Sequence, residues 1–297
     1  MILHEAVTHY HKLLEDRQLA EESRHVLDAG LEEAKLIFGG RRLSPYLRPH
    51  FVAESDWTRV VGVCETVWSA LQKVKDAAVR DEAILHELGL TETERELVKI
   101  DPKYKQVSPS ARLDSFLTAD TYSFVELNGE SPAGIGYADA AYDIFSSLPV
   151  FQKFSETFSL RKMYGKRHLL NVLLSVYQEF SGGASDHKPN IAIVDLKGLP
   201  TQKEFEIFRE FFETEGYLAV IASPDELEFN GTKLVKGDFE IDIVYKRLLV
   251  NEFMPIMGEF SALLEAYKAG AVCLANSFRS KLVHKKAIFA ILTNERY

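Results

Sequence analysis

The segment Phe124-Val-Glu-Leu-Asn-Gly-Glu-Ser-Pro-Ala-Gly134 concentrates groups that could do chemistry. Read as a strand over 122–128, it alternates faces: Val125 and Leu127 point one way, Glu126 and Asn128 the other. A carboxylate and an amide oxygen side by side are hard oxygen ligands, suited to Mg2+ shared with nucleotide phosphates. The same pair also fits the solvent face of an edge strand whose turn is Asn128-Gly129. Gly129, Gly134 and Gly136 flank Ser131-Pro132, a stretch whose backbone amides could hold an anionic group before a helix begins. It is not a GxxxxGK(S/T) phosphate loop, because Ile135 follows Gly134. Nor is it a GxSxG nucleophile elbow, because Ala133 stands where the second glycine is needed, and this argues against a hydrolase. Arg112 and Asp114 share a face of the preceding strand. The arginine could grip phosphate oxygens bidentately, or pair across the hairpin as a salt bridge.

Three regions must position these residues. Residues 1–100 read as helical: Leu27, Leu31, Ala34 and Phe38 line one face, and Val60, Val63, Val67, Leu71, Val74 and Ala78 line another. Pro45 and Pro49 force extended backbone between them, and Thr91 with Glu94 forms a capping box. Residues 101–189 hold two short strands, 111–117 and 122–128, paired as a hairpin. Helices follow near 137–147 and 166–180, then a linker-like break over 181–189. Residues 190–297 alternate strand and helix. Apolar runs at 191–196, 217–222, 241–245 and 271–275 read as strands. Helices are expected from a Thr201/Glu204 capping box to Gly216 and over 259–269, with Asn230-Gly231 as a hairpin turn. The fold class is α/β, α+β overall, with a Rossmann-like layer at 190–276. An apolar helix opens at Val283–Leu292 and the chain stops at Tyr297.

The chain has 297 residues, 46% hydrophobic and 27% charged, the composition of a soluble globular protein. A net charge of −9 argues against a duplex nucleic-acid partner, which needs a concentrated basic face. Cys64 and Cys273 lie far apart in apolar segments and read as two thiols in a reducing compartment. No run has the shape of a secretory signal or the length of a membrane span, which makes a cytoplasmic location the expectation. His4, His9 and His11 have no cysteine or carboxylate partner at metal-ligand spacing. Arg161, Lys162, Lys166 and Arg167 read as a solvated face, and Lys281, Lys285 and Lys286 are open to the same reading as a solvated helix start. No GxGxxG follows 191–196, which counts against a plain dinucleotide-binding module.

ARLDSF, FVELNGESPAG, DIVYKRLL and AGAVCLANSFRSKLVHKKAIFAIL occur in this order over roughly 105–297. Together they resemble the circularly permuted ATP-grasp proteins of type 2, the glutathionylspermidine-synthase-like branch, with eukaryotic glutathione synthetase as a distant relative. The resemblance implies that Glu126 and Asn128 bind Mg2+ and that Arg112 approaches the transferred phosphate. It implies that Arg247 lines the substrate pocket and that Lys286, with Lys285 as the alternative, contacts nucleotide phosphates. Asn276, with Ser277 beside it, and Ser131 belong near the nucleotide. ATP and Mg2+ are the implied cofactors, and a small-molecule carboxylate and an amine the implied substrates. The implied activity is a carboxylate–amine ligase working through an acyl phosphate. The 101–189 region then becomes part of an ATP-grasp core, and 190–297 a pre-ATP-grasp layer leading into a further ATP-grasp segment. The resembled proteins continue well beyond this point with a glycine-rich lid and further acidic ligands. The chain is therefore expected to be the front part of such an enzyme, inactive alone. The alternative is a non-catalytic pseudoenzyme or scaffold. The acceptor's identity and the oligomeric state are not legible.

Overall fold

The computed structural model describes residues 2–38, 40–118, 120–183 and 187–296. Ala184–Asp186, inside the expected 181–189 break, and the terminal Tyr297 lie outside the described residues. Helices α1 (Ile2–Leu13) and α2 (Arg17–Glu33) precede a ribbon of β1 (Ile37–Phe38) and β2 (Arg41–Arg42). Then come the long α3 (Glu54–Arg80), α4 (Glu82–Glu87) and α5 (Glu92–Lys99). A hairpin of β3 (Arg112–Leu117) and β4 (Tyr122–Asn128) leads to α6 (Ile135–Ser147), α7 (Pro149–Ser155) and α8 (Gly165–Phe180). Next are β5 (Ile191–Val194), α9 (Gln202–Thr214), β6 (Ala219–Ala222), β7 (Glu228–Phe229), β8 (Leu234–Lys236), β9 (Phe239–Ile241) and β10 (Ile243–Lys246). The chain closes with α10 (Val250–Phe253), α11 (Ala262–Ala269), β11 (Cys273–Ala275), α12 (Lys281–His284) and α13 (Ala287–Leu292).

These elements form two compact units built from interleaved stretches of chain. The first comprises 1–61, 133–167 and 199–208. Its core joins Tyr10, Leu27 and Leu31 of α1 and α2 to Phe145 of α6 and Phe151 and Phe154 of α7. Burying such side chains contributes roughly 1.5–3 kcal/mol each. Tyr10 meets Phe154 edge-on at 5.1 Å, while Phe51 stacks on Phe154 at 4.9 Å. The start of α6 has no side-chain cap of its own. The buried Glu204 carboxylate serves instead, accepting from the amides of Gly134 (2.8 Å) and Gly136 (3.0 Å). This corrects the Thr201/Glu204 capping box, because the Glu204 side chain is spent on another helix. The Gly134 and Gly136 amides of the glycine-rich stretch thus hold an internal carboxylate. Glu204→Gln keeps an acceptor but loses the charge facing the helix dipole, so a loss of about 1 kcal/mol is expected in urea unfolding.

The second unit comprises 62–132, 168–198 and 209–297. Its sheet runs β11-β10-β5-β6, every pair parallel, as the Rossmann-like pattern requires. Strands buried on both faces read as unbroken apolar runs, and Ile191–Val194 and Ile243–Lys246 are buried throughout. One face packs on Leu263, Ala266 and Tyr267 of α11 together with Phe253 and Phe278. A separate cluster packs α3, α4 and α13 around Leu127 of β4. The Asn230-Gly231 turn joins β7 to β8, with Asn230 Oδ1 accepting from Thr232 and Lys233 amides. Thr91 and Glu94 form the expected capping box at α5. The final apolar helix is in fact two short ones, α12 and α13, because Lys285 between them is extended. Both cysteines are free thiols. No described helix is long and apolar enough to cross a membrane.

Candidate active site

The hairpin register decides what the strand alternation assembles. Arg112 pairs with Asn128 and Asp114 with Glu126, so all four side chains share one face. The register shifts between Asp114 and Ser115, and the bulge ends the matched stretch there. Leu113 and Leu127 on the opposite face anchor the ribbon in the α3–α4–α13 core. Arg112 Nε donates to Asp114 Oδ1 at 2.6 Å and Nη2 to Oδ2 at 3.0 Å, a bidentate fork. Asn128 Nδ2 donates to Glu126 Oε1 at 3.0 Å and to Asp114 Oδ2 at 3.4 Å. Lys286 reaches Glu126 Oε2 at 3.0 Å from a largely exposed position. The Lys286 and Asn128 donors hold the Glu126 carboxyl below its usual range, and Arg112 does the same for Asp114.

Four of the residues singled out in the sequence therefore meet: Arg112, Glu126, Asn128 and Lys286. Asp114 joins them as a second carboxylate that pairing across the hairpin brings in. Lys285 goes elsewhere, with its Nζ 2.8 Å from Glu94 Oε2 on α5. Asn276 is 1% exposed and acts as a staple: Nδ2 reaches the carbonyls of Ser110 (2.6 Å), Gly129 (2.8 Å) and Glu130 (3.0 Å), while Oδ1 accepts from the Ser110 amide. Ser277 is likewise buried, donating to the Val107 carbonyl. Ser131 is half-buried beside this loop. Among the described residues no group of three His, Cys, Asp or Glu side chains is placed to hold a metal ion. The corner offers two carboxylates and an amide. That donor set suits a hard cation whose remaining ligands come from phosphates or water, provided that the Asn128 amide turns its oxygen inward.

A second cluster sits where the sheet changes direction. The first two strands, β5 and β6, are built outward to one side, and the chain then returns to place β10 on the other side of β5. In open α/β sheets the crevice at the carboxyl ends of such strands is the usual ligand position. Asp195 follows β5 there and Arg247 follows β10, with the Arg247 amide on the Val194 carbonyl at 2.9 Å. Arg247 is buried, and its Nη1 donates to the Pro132 carbonyl and to the Tyr245 hydroxyl. Asp195 is 7% exposed and accepts from the Leu196 amide at 2.8 Å. Burial pushes its carboxyl up to about 6, against the opposing pull of that amide and of Arg247.

No protein-family profile and no curated protein matches the sequence. Among solved structures, a glutathione synthetase-like effector from Globodera pallida, determined in its apo form, superposes with a TM-score of 0.61 at 14% identity, over 94% of this chain and 66% of that one. The two chains share a fold. The present chain thus spans just under two thirds of that neighbour's length. The likeness agrees with the mixed α/β class expected from the sequence.

Between the two clusters runs a buried ladder of charges that sequence reasoning missed. Glu130, fully buried, accepts from the Val250 amide at 2.7 Å and lies 2.8 Å from Lys281 Nζ and 4.0 Å from Lys246 Nζ. Lys281 continues to Glu94 at 3.5 Å, and Glu94 to Lys285. Burial opposes ionisation of Glu130, but Lys246 and Lys281 outweigh it and hold the carboxyl low. Burial also pushes the Lys246 ammonium and the neighbouring His284 imidazole below their usual ranges. The solvated-helix reading of the three C-terminal lysines holds for Lys286 alone: Lys281 is 3% exposed because two buried carboxylates require it. No local pattern around KLVHKK announces this.

Proposed function

We propose that this chain supplies the metal corner and the acceptor end of an ATP-dependent carboxylate–amine ligase of the circularly permuted ATP-grasp type. The observation that carries the reading is the single-face cluster of Arg112, Asp114, Glu126 and Asn128 with Lys286 against it. Glu126, Asn128 and Asp114 would hold Mg2+, and Lys286 would exchange Glu126 for a nucleotide phosphate. Arg112 would neutralise charge on the transferred group. Bound MgATP supplies the phosphoryl group that activates a carboxylate, and an amine then displaces phosphate to leave an amide, ADP and phosphate. At the sheet end, Asp195 suits an ammonium group of the acceptor. Arg247 holds the 129–132 loop against that end. The activity is proposed for a protein in which this corner is faced by the rest of a nucleotide site.

Magnesium-dependent phosphate release from ATP, stimulated only when a carboxylate and an amine are both supplied, is the expected activity. Glu126→Ala is expected to lower it by about 10²-fold or more. Retention of that turnover in the variant would remove the metal assignment. One observation favours a non-catalytic scaffold: Arg112 is engaged by Asp114 and Lys286 by Glu126, so the corner neutralises itself. Failure of MgATP to bind in the presence of both substrates would decide for that alternative.

A further inference from the structure

Glu130 occupies a position that neither cluster explains alone. It lies two residues beyond Asn128 of the metal corner and two before Pro132, whose carbonyl receives Arg247. Its carboxylate binds the first amide of α10, just after Arg247, and Lys281 of α12. Lys246, the last residue of β10, completes the cage. The backbone of the same residue is fixed from the other side, since its carbonyl accepts from Asn276. Gly129 beside it passes so close to α12 that an added Cβ would lie 2.8 Å from Val283 Cγ2. The loop is therefore pinned by charge at one residue, with little steric freedom at the next.

We propose that Glu130 is a positioning residue that sets the metal corner in register with the acceptor end of the sheet, by fastening the loop between them to β10, α10 and α12. Burying a carboxylate between two lysines is an expensive way to hold a loop, since an apolar side chain would pack there without desolvating three charges. What the charge adds is a fixed geometry: a hydrogen bond to α10 and ion pairs to two other elements define one position for the backbone that ends β4. Residues that orient ligands from behind typically change metal affinity about 10- to 100-fold when altered. The proposal rests on the ligase reading for what the corner holds.

The test uses the protein in which this corner is faced by the rest of the nucleotide site, with Mn2+ and ADP as probe, following loss of the free Mn2+ resonance on binding. Glu126→Ala reports whether the corner is the site. Asp242→Asn serves as the structural control. It is another buried carboxylate of the same unit, just before the opposite end of β10, held by the Asn190 amide at 3.0 Å and Lys233 at 3.2 Å. Glu130→Gln is expected to weaken Mn2+–ADP binding by about tenfold or more, measured well below its melting temperature, while Asp242→Asn binds like wild type even where its melting temperature falls. If Glu130→Gln does not fold, the paired Glu130→Gln/Lys246→Met variant, which removes both charges, takes its place with the same expectation. Wild-type affinity in the Glu130 variant overturns the proposal, as does an equal loss in Asp242→Asn. Binding that is absent from wild type, or insensitive to Glu126→Ala, overturns the ligase reading and this proposal with it.

Discussion

Lys281→Met should destabilise the protein by about 3–5 kcal/mol, the range for removing one member of a buried ion network. The Lys281 ammonium is 2.8 Å from Glu130 and 3.5 Å from Glu94, and it donates to Asn251 Oδ1 at 2.9 Å. Methionine fills nearly the same volume, so the loss comes from electrostatics and polar desolvation rather than from a cavity. After the substitution Glu130 keeps the Val250 amide and a lysine at 4.0 Å, and Glu94 keeps Lys285 and its own helix cap. Neither carboxylate can move to water, because both are almost fully buried. Removing charges in pairs should cost less than removing them singly, so Lys281→Met/Glu130→Gln is expected to recover part of the loss. Urea unfolding of the two variants and of Glu130→Gln gives the coupling energy. A Lys281→Met midpoint close to wild type would mean that the ladder contributes little to the fold.

The contrast between what could and could not be read in the sequence follows from the range of the interactions. Glu126 and Asn128 were legible because strand alternation is a period-two rule that acts between residues two apart. Arg112 and Asp114 were legible on the same ground. Their meeting was not, since it needs the register in which Asp114 opposes Glu126, and that register depends on where the bulge falls. The parallel layer was legible because its strands are buried on both faces and its turns carry their own signals. The ladder was invisible for the opposite reason. Lys281, Lys285 and Lys286 form one basic string, yet the first is buried against Glu130, the second bridges to α5 and the third meets Glu126 of the hairpin. Only tertiary packing separates them. Asn276 shows the same limit: a polar residue in a turn reads as a ligand contact, whereas here five backbone and hydroxyl groups of two loops consume it. The interleaving of the two units is equally non-local, because helices that share a core in the first unit are separated in the chain by those of the second.

Asp195→Asn is expected to act in the opposite direction and to stabilise the protein, in a way that depends on pH. An ordinary aspartate in the unfolded chain titrates near 3.8, and burial raises the folded value to about 6. Below the unfolded value both states carry the proton and the site adds no penalty. As pH rises from the unfolded value to the folded one, the unfolded chain ionises while the native carboxyl keeps its proton, and stability is lost until the native carboxyl ionises too. Each unit of displacement is worth about 1.4 kcal/mol, so the native state forfeits about 3 kcal/mol by pH 8. Asparagine retains an oxygen for the Leu196 amide and has nothing to ionise. The variant should therefore gain on the order of 3 kcal/mol over wild type at pH 8, with the gain shrinking through pH 6 and vanishing near pH 4. Denaturant titrations at these three pH values measure it, and a variant no more stable than wild type at pH 8 would show that Asp195 is compensated. A carboxyl whose burial outweighs the Leu196 amide and Arg247, at the direction change of a parallel sheet, is a cost that packing alone does not justify. Sites that bind ligands commonly retain such costs, because the ligand supplies a further partner. On the ligase reading, the acceptor ammonium would supply that partner, so the substitution that stabilises the fold is also expected to raise the acceptor's KM.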